Sequence, residues 1–302
     1  MAAQSAAQWD DLRVFLAVAR EESLSAAGRR LNVDPATVGR RVARLETAYE
    51  TPLFVKSPIG YALTDAGQRL MAHALRVEQS LEEAAEDMVG QTTGISGQIR
   101  IGAPDGAANY LLPQVCAKIA EDNPDLDIQI VALPRVVSLS RREADLVVAV
   151  SAPTAGRLTV QKIADYKLHL AAARWYLRQH PEIKTPEDLR HHMVIGYIPD
   201  MIFDKELDYL NETGVERVRL ASNSASVQFN WVRRGAGVGI VHDFALPSTK
   251  GMVKILQDQV SLTRSFYLIR HADDRRLERM NRFSEALCEG VRKEVARLEA
   301  QT

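Results

Sequence analysis

Residues 24–46 read LSAAGRRLNVDPATVGRRVARLE, and this stretch predicts two short helices joined by a tight turn. Ser23 precedes the first helix and Asn32 follows it, and asparagine tolerates the left-handed backbone that such a turn needs. Asp34 is a favourable N-cap for the second helix. Pro35 takes its first position, where the missing N–H costs nothing. The stretch therefore predicts a helix-turn-helix.

The second of these helices has an apolar stripe and arginines on its other faces. Val38, Val42 and Leu45 form the stripe, at the spacing of one helix face. Residues 29–44 contain five arginines and a single acid, a net charge of +4 in a protein whose formal net charge is -1. Local positive charge on this helix suits a phosphate-lined DNA groove. A merely solvated face is the alternative, which the helix caps and the two-helix spacing disfavour.

The chain after this helix predicts a β-hairpin and then a long amphipathic helix. Residues 51–64 place two short extended runs around a Pro/Gly turn, and Lys56 is positioned to meet a phosphate. A helix is predicted from Thr64 to about Gln91. Its apolar residues recur in heptads, which predicts a coiled-coil-like dimer, with packing on its own domain as the alternative. The predicted dimerisation residues are Leu70, Ala74, Val77, Leu81, Ala84 and Met88.

Beyond a polar hinge at 92–97, strands and helices alternate, which indicates a parallel sheet covered on both faces. A helical turn is expected at 138–143, a helix start at Thr185, and a link between two α/β units at 162–169. The predicted strands are 99–102, 128–132, 146–150, 168–173, 193–197, 218–221, 238–241 and 266–269. The predicted helices include residues 111–120, 224–234 and 275–298.

The stretch 24–46, the run Pro52-Leu53-Phe54 and the run Leu63-Thr64-Asp65-Ala66-Gly67 together resemble the LysR-type transcriptional regulators. Residues 110–113 (YLLP) and 235–240 (GAGVGI) agree with the same family more loosely. The resemblance implies an α/β protein with an N-terminal winged helix-turn-helix, a long linker helix and a two-lobed effector domain like periplasmic binding proteins. It also implies a homodimer, usually assembled into a homotetramer, that acts on double-stranded promoter DNA, with RNA polymerase as a further partner.

The expected domains are a DNA-binding domain at 7–64, a linker helix at 65–91, a hinge at 92–97 and an effector domain at 98–302. Within the effector domain, lobe I is expected at 98–164 and 266–302, and lobe II at 165–265. Lys56 stands where the family usually has an arginine and offers a point charge rather than a bidentate fork. The predicted DNA-binding residues are Ser25, Arg29, Arg30, Pro35, Ala36, Thr37, Arg40, Arg41, Arg44 and Lys56.

A small-molecule effector is expected beyond the carboxyl ends of the strands and near helix N-termini. The candidate residues are Asp105, Gly106, Ser151, Ala152, Tyr197, Ser222, Asn223 and Ser224. Asn223 and Ser224 also suit a plain helix cap. Because Asp105 is acidic and repels a carboxylate, we expect a neutral or cationic effector, or none.

Other functions are disfavoured by the sequence. Cys116 and Cys288 lie far apart and outside any metal-ligand spacing, so buried thiols are expected, with a redox sensor as the alternative. The GAGVG run at 235–239 leads into a strand, the wrong order for a dinucleotide site, and no catalytic motif is present, so an enzyme is not expected. A solute-binding protein leaves the first 90 residues unexplained. We expect no cofactor, no metal, no membrane segment and a cytoplasmic location.

Overall fold

The computed structural model describes residues 9–57, 60–89, 94–132, 144–153, 157–210, 213, 215 and 217–302. The chain divides into two compact units, Met1–Thr93 and Gly94–Thr302. Each unit has a hydrophobic core of its own. Within the described ranges, no helix has both the length and the apolar composition needed to cross a membrane.

The first unit begins with the predicted helix-turn-helix, preceded by one further helix. Its helices are α1 (Trp9–Glu21), α2 (Leu24–Leu31) and α3 (Pro35–Ala48). The Ser23 and Asp34 side chains accept hydrogen bonds from backbone N–H groups in the first turns of α2 and α3. Asn32 ends α2 in the left-handed conformation, with φ of 53°. The predicted turn chemistry is confirmed at each of these positions.

The apolar stripe predicted for α3 packs into the core of the first unit. Val38, Val42 and Leu45 are buried there, together with the central residues of α1 and Ala27 of α2. Burial of this stripe fixes the rotation of α3 about its axis. The opposite face of α3 therefore points to solvent.

A two-stranded wing follows α3, as predicted. Strands β1 (Phe54–Ser57) and β2 (Gly60–Leu63) pair antiparallel. The carboxylate of Glu46, near the end of α3, accepts hydrogen bonds from the backbone N–H groups of Leu53 and Phe54 at 2.7 and 3.2 Å. This side chain ties the base of the wing to α3.

The long helix predicted after the wing is present. Helix α4 runs over Asp65–Val89, and the Thr64 hydroxyl accepts a hydrogen bond from the Gly67 backbone N–H at 3.0 Å. Thr64 thus caps the helix rather than starting it. The predicted end of the helix at Gln91 lies outside the described residues.

The second unit is an α/β structure. Its strands are β3 (Gly97–Ala103), β4 (Leu126–Ala132), β5 (Leu146–Ala149), β6 (Leu158–Ala173), β7 (Val194–Gly196), β8 (Leu220–Ala221), β9 (Val238–His242), β10 (Met252–Lys254) and β11 (Ser261–His271). Its helices are α5 (Asp105–Tyr110), α6 (Leu112–Asp122), α7 (Arg174–Gln179), α8 (Ala225–Arg233) and α9 (Glu278–Glu299). Short 3-10 turns occur at Pro186–His191, Pro199–Met201, Lys205–Leu207, Asp243–Ser248 and Ala272–Arg276.

One sheet runs through the second unit in the order β4-β3-β5-β11-β6-β9-β7-β8, with β10 beside β6. The prediction of a parallel sheet was wrong for its centre. The pairs β3–β4, β3–β5, β7–β8 and β7–β9 are parallel, whereas β6 and β11 run antiparallel to their neighbours. The antiparallel strands β11 and β6 lie between two parallel sets, β4-β3-β5 and β9-β7-β8, and join them in one sheet.

The stretch 162–169 was predicted to link two units and is instead part of the 16-residue strand β6. Buried Tyr166 and Leu168 alternate with exposed residues, as in a strand, whereas Ile163 lies three residues before Tyr166, where the register with β11 shifts. The expected lobe boundaries at 164/165 and 265/266 fall inside β6 and β11.

One smaller prediction also differs from the structure, and one helix was not predicted. The unpredicted helix is α5, which directly follows β3 with Pro104 as its extended N-cap. The helix start at Thr185 is a 3-10 turn closed by a capping box between Thr185 and Asp188. The helical turn predicted at 138–143 lies outside the described residues.

Candidate nucleic-acid interface and ligand cavity

The solvent face of α3 carries several of the predicted DNA-binding residues. Arg40 is exposed, and its Nη2 donates a hydrogen bond to the Thr37 Oγ1 at 2.9 Å. Pro35 and Ala36, in the first turn of α3, and Ser25 in α2 are exposed as well. The contact with Thr37 holds the Arg40 guanidinium against α3.

Three of the five arginines in this region are paired with acids of α1. The Arg44 guanidinium donates two hydrogen bonds to the carboxylate of Asp11, which is only 1% exposed. This contact raises the pKa of Arg44. Charge counting over residues 29–44 missed these pairs because their partners precede the segment. The two looser pairs are Arg30–Glu21 at 3.0 Å and Arg41–Asp10 at 3.6 Å.

Two other predicted cations have no carboxylate partner. Arg29, near the end of α2, and Lys56, on the wing, are exposed and form no ion pair with any residue of the described ranges. With Arg40, they form a set of three side chains that have no ion-pair partner among the residues that the structure describes. These three are called the open cations below.

The heptad face of α4 is divided. Ala74 is 1% exposed and Leu70 is half-buried, both against the core of the first unit. Val77 and Leu81, further along, are 40% and 46% exposed, and Ala84 is exposed too. The side chain of Met88 lies outside the described residues. Among the described positions, Leu70 and Ala74 thus pack on their own unit.

A small cavity, part of it open to solvent, lies beyond the carboxyl end of β3 in the second unit. Four of the eight predicted effector residues line it: Asp105, Gly106, Tyr197 and Asn223. The other described lining residues are Pro104, Ala107, Val150, Tyr166, Phe203, Leu207, Tyr209, His242 and Phe266.

The carboxylate of Asp105 is bonded to the N-terminus of α8. One oxygen accepts hydrogen bonds from the Ser226 backbone N–H at 2.7 Å and from the Ser224 hydroxyl at 3.0 Å. The other accepts one from the Asn109 amide at 3.2 Å. Ser224 also caps α8 by accepting from the Val227 backbone N–H at 3.2 Å. Asp105 thus occupies the positive end of the α8 dipole.

Four predicted effector residues lie outside the cavity lining. The Ser151 hydroxyl donates a hydrogen bond to the Asp204 carboxylate, and the exposed residue Ala152 follows it. The Ser222 hydroxyl accepts from the Ser224 backbone N–H at 3.1 Å. These hydroxyls are used in local hydrogen bonds of the fold.

Aromatic side chains that sequence reasoning missed form the cavity wall. Tyr166 stacks on Phe266, with ring centroids 4.1 Å apart. The Tyr209 hydroxyl and the Nε2 of His242 lie 3.5 Å apart, and burial lowers the pKa of His242 to about 4. The Tyr166 hydroxyl is buried and has no hydrogen-bond partner among the described residues. Alternation along β6 was the available signal for Tyr166.

Both cysteines are buried, and their environments oppose redox chemistry. Burial raises the pKa of Cys116 to about 12 and also raises that of Cys288. A thiol reacts as its thiolate, so both groups are poor nucleophiles. No cluster of three or more potential metal ligands occurs among the residues that the structure describes.

Comparison with known protein families gives two matches. A family described as "Bacterial regulatory helix-turn-helix protein, lysR family" matches residues 9–68, and one described as "LysR substrate binding domain" matches residues 92–292. The chain belongs to the LysR family of transcriptional regulators. LysR-type regulators bind DNA and small-molecule effectors and form oligomers.

Similar proteins carry the same assignment. The HTH-type transcriptional activator TtdR of Escherichia coli (strain K12) is 28% identical over 232 residues, which cover 76% of this chain and 75% of that protein. The HTH-type transcriptional regulator DgdR of Burkholderia cepacia is 34% identical over 140 residues, 45% of this chain and 47% of that protein. These relatives are transcriptional regulators, not enzymes.

Solved structures show the same fold. The full-length Vibrio cholerae virulence activator AphB aligns with a TM-score of 0.56 and 23% identity, covering 93% of this chain and 99% of that chain. A full-length variant of OxyR from Pseudomonas aeruginosa aligns with a TM-score of 0.70 and 18% identity, covering 94% of each chain. The predicted fold class, a winged helix-turn-helix with a linker helix and an α/β effector domain, is confirmed.

Proposed function

We propose that α3 enters the major groove of double-stranded promoter DNA, with Arg40 and Thr37 facing base edges. The observation that carries this proposal is the set of open cations on α2, α3 and the wing. Arg29 and Lys56 then contact phosphates, where one unpaired cation replaces one condensed counterion. Exposed Ser25, Pro35 and Ala36 complete the surface that approaches the duplex.

The paired arginines take a supporting role in this proposal. Arg44 holds α3 against α1 through the buried Asp11 carboxylate. Arg30 and Arg41 are bound more loosely and reach phosphates only after giving up Glu21 and Asp10. The supporting role of these ion pairs explains why the segment contains more arginines than open cations.

A second copy of the chain is the proposed partner of α4. Val77, Leu81 and Ala84 form an exposed apolar row at heptad spacing, and pairing two such rows removes them from water. The functional unit is then a homodimer that further assembles into a homotetramer. In this proposal, residues 7–64 bind DNA, residues 65–91 form the linker helix, residues 92–97 form a hinge and residues 98–302 bind the effector.

The cavity beside Asp105 is the proposed effector site. It combines buried aromatic walls with a few polar atoms, the composition typical of small-molecule sites. Binding there adjusts transcription by RNA polymerase from the promoter. In this proposal the protein acts in the cytoplasm and carries out no catalysis of its own.

Selection of duplexes from fragments of the source genome tests the DNA-binding proposal. The full-length chain is expected to enrich a paired half-site whose affinity falls steeply as salt rises. Leu81→Glu, which places charge on the apolar row of α4, is expected to lower the sedimentation mass and weaken binding to paired half-sites. Absence of salt-dependent affinity for every fragment contradicts the proposal.

A further inference from the structure

The hydrogen bonds of Asp105 restrict what the cavity accepts. We propose that Asp105 fills the anion site at the N-terminus of α8 from within the chain, so that the cavity binds an uncharged ligand. This ligand carries one hydrogen-bonding group that pairs with the Tyr166 hydroxyl. The inference rests on the proposed function of the cavity as the effector site.

The first step concerns the donors at the start of α8. A helix N-terminus offers unpaired backbone N–H groups and a partial positive charge, which together attract an anion. Here the Ser226 N–H and the Ser224 hydroxyl already donate to the Asp105 carboxylate, at 2.7 and 3.0 Å. A ligand carboxylate therefore finds these donors occupied and meets a like charge beside them.

The second step concerns compensating charge. No lysine or arginine belongs to the described cavity lining. Arg264, whose charge acts on Tyr166 and Tyr209, is paired with the Glu206 carboxylate at 2.9 Å. His242 stays neutral near neutral pH because burial disfavours its charged form and lowers its pKa. An anion in this cavity thus lacks a counterion.

The third step separates an uncharged ligand from a cation. The Asp105 charge is shared among three hydrogen-bond donors and the α8 dipole, so little of it remains to offset desolvation of an ammonium group. The cavity supplies no further carboxylate among its described lining residues. An uncharged ligand avoids both costs.

The fourth step places the hydrogen-bonding group. The Tyr166 ring is held between Phe266 and Phe244, with centroids 4.1 and 5.7 Å away. Its hydroxyl is a buried polar atom of the described lining that lacks a partner. The neighbouring Tyr209 hydroxyl interacts with the Tyr166 hydroxyl and lowers the pKa of Tyr166, but the two groups fall short of the geometry of a formed hydrogen bond. A ligand oxygen or nitrogen that pairs with the Tyr166 hydroxyl relieves its desolvation cost.

Three probes of similar shape and different charge test the inference: benzamide, benzoate and benzylamine. Calorimetric titration of the full-length protein is expected to show benzamide binding at least about tenfold more tightly than either charged probe. Asp105→Asn keeps the side-chain shape and is expected to gain about tenfold in benzoate affinity, with benzamide within about threefold. Tyr166→Phe is expected to weaken benzamide about fivefold, the loss of one neutral hydrogen bond.

The outcomes separate this inference from the proposed function. A wild-type preference for benzoate or benzylamine overturns the inference, as does the absence of binding by all three probes. If Asp105→Asn leaves the ratios of the three probe affinities unchanged, the proposed role of Asp105 is overturned. Duplex binding is measured on the same samples and tests the DNA-binding proposal independently. Should Asp105→Asn fail to fold, the wild-type ranking and Tyr166→Phe still decide the question.

Discussion

Arg40→Ala is expected to reduce sequence discrimination while preserving most non-specific affinity. Arg40 is exposed on α3, where it donates a hydrogen bond to the Thr37 hydroxyl at 2.9 Å. Its remaining N–H donors suit a bidentate contact with guanine, worth about 1–3 kcal/mol of discrimination per half-site. A symmetric pair of half-sites doubles this to about 2–6 kcal/mol, so the operator preference falls by at least about 30-fold.

Fluorescence anisotropy with a selected duplex and a scrambled one measures this preference. Arg40→Lys keeps the charge and removes the planar fork, so it should lose preference while keeping the salt dependence. Arg30→Ala is the matched control, since the Arg30 charge is already paired with Glu21 at 3.0 Å. It should change the preference little.

Equal losses of affinity for the two duplexes in Arg40→Ala would refute base reading by this side chain. A drop in preference of the same size in Arg30→Ala would show that general charge, rather than the position of Arg40, sets the discrimination.

Three further predictions concern packing, pH and oxidation. Gly67→Ala brings a Cβ to 2.2 Å from the Leu53 carbonyl oxygen and should cost about 1–3 kcal/mol or more, seen as a lower urea midpoint. Gly39→Ala, whose Cβ meets one side-chain atom at 3.5 Å, is the tolerated control. Because the pKa of His242 is lowered to about 4, the unfolded chain binds a proton that the folded chain does not, so stability should fall by at most about 1.4 kcal/mol per pH unit from about pH 6.5 down to about 4. An NMR titration of the His242 imidazole with a midpoint near pH 6.5 would contradict this. Peroxide should leave DNA affinity unchanged, since the pKa of Cys116 is raised to about 12 and the Cys288 thiol is also buried; loss of binding would revive the redox alternative.

The helix-turn-helix was predictable because its signals are local. Ser23, Asn32, Asp34 and Pro35 each act within a few residues of their own position, through caps and backbone preferences. The family matches then confirmed the assignment independently of any contact in the fold.

The strand order of the sheet and the pairing of charges were harder to predict from the sequence, because both depend on partners that are distant in the chain. The antiparallel run of β6 follows from pairing with β11, which lies much later in the chain. The neutralisation of Arg44 depends on Asp11, which is 33 residues away. No local periodicity reports either pairing.

The cavity was half predictable. Asp105 and Asn223 lie at strand or helix ends, where ligand sites concentrate, and both line the cavity. Phe203 and Leu207 come from a segment with 3-10 turns and no helical or strand period. Whether such residues reach the cavity is decided by tertiary packing alone.

The Glu46 link holds the base of the wing at a fixed distance from α3. Both contacts are made to the backbone of residues 53 and 54, so side-chain substitutions in the wing leave the spacing between α3 and the wing unchanged. A duplex whose grooves do not match the spacing between α3 and the wing must itself bend or twist to contact both elements. Base steps that deform easily, located between the sites contacted by α3 and by the wing, then raise affinity although no side chain touches them.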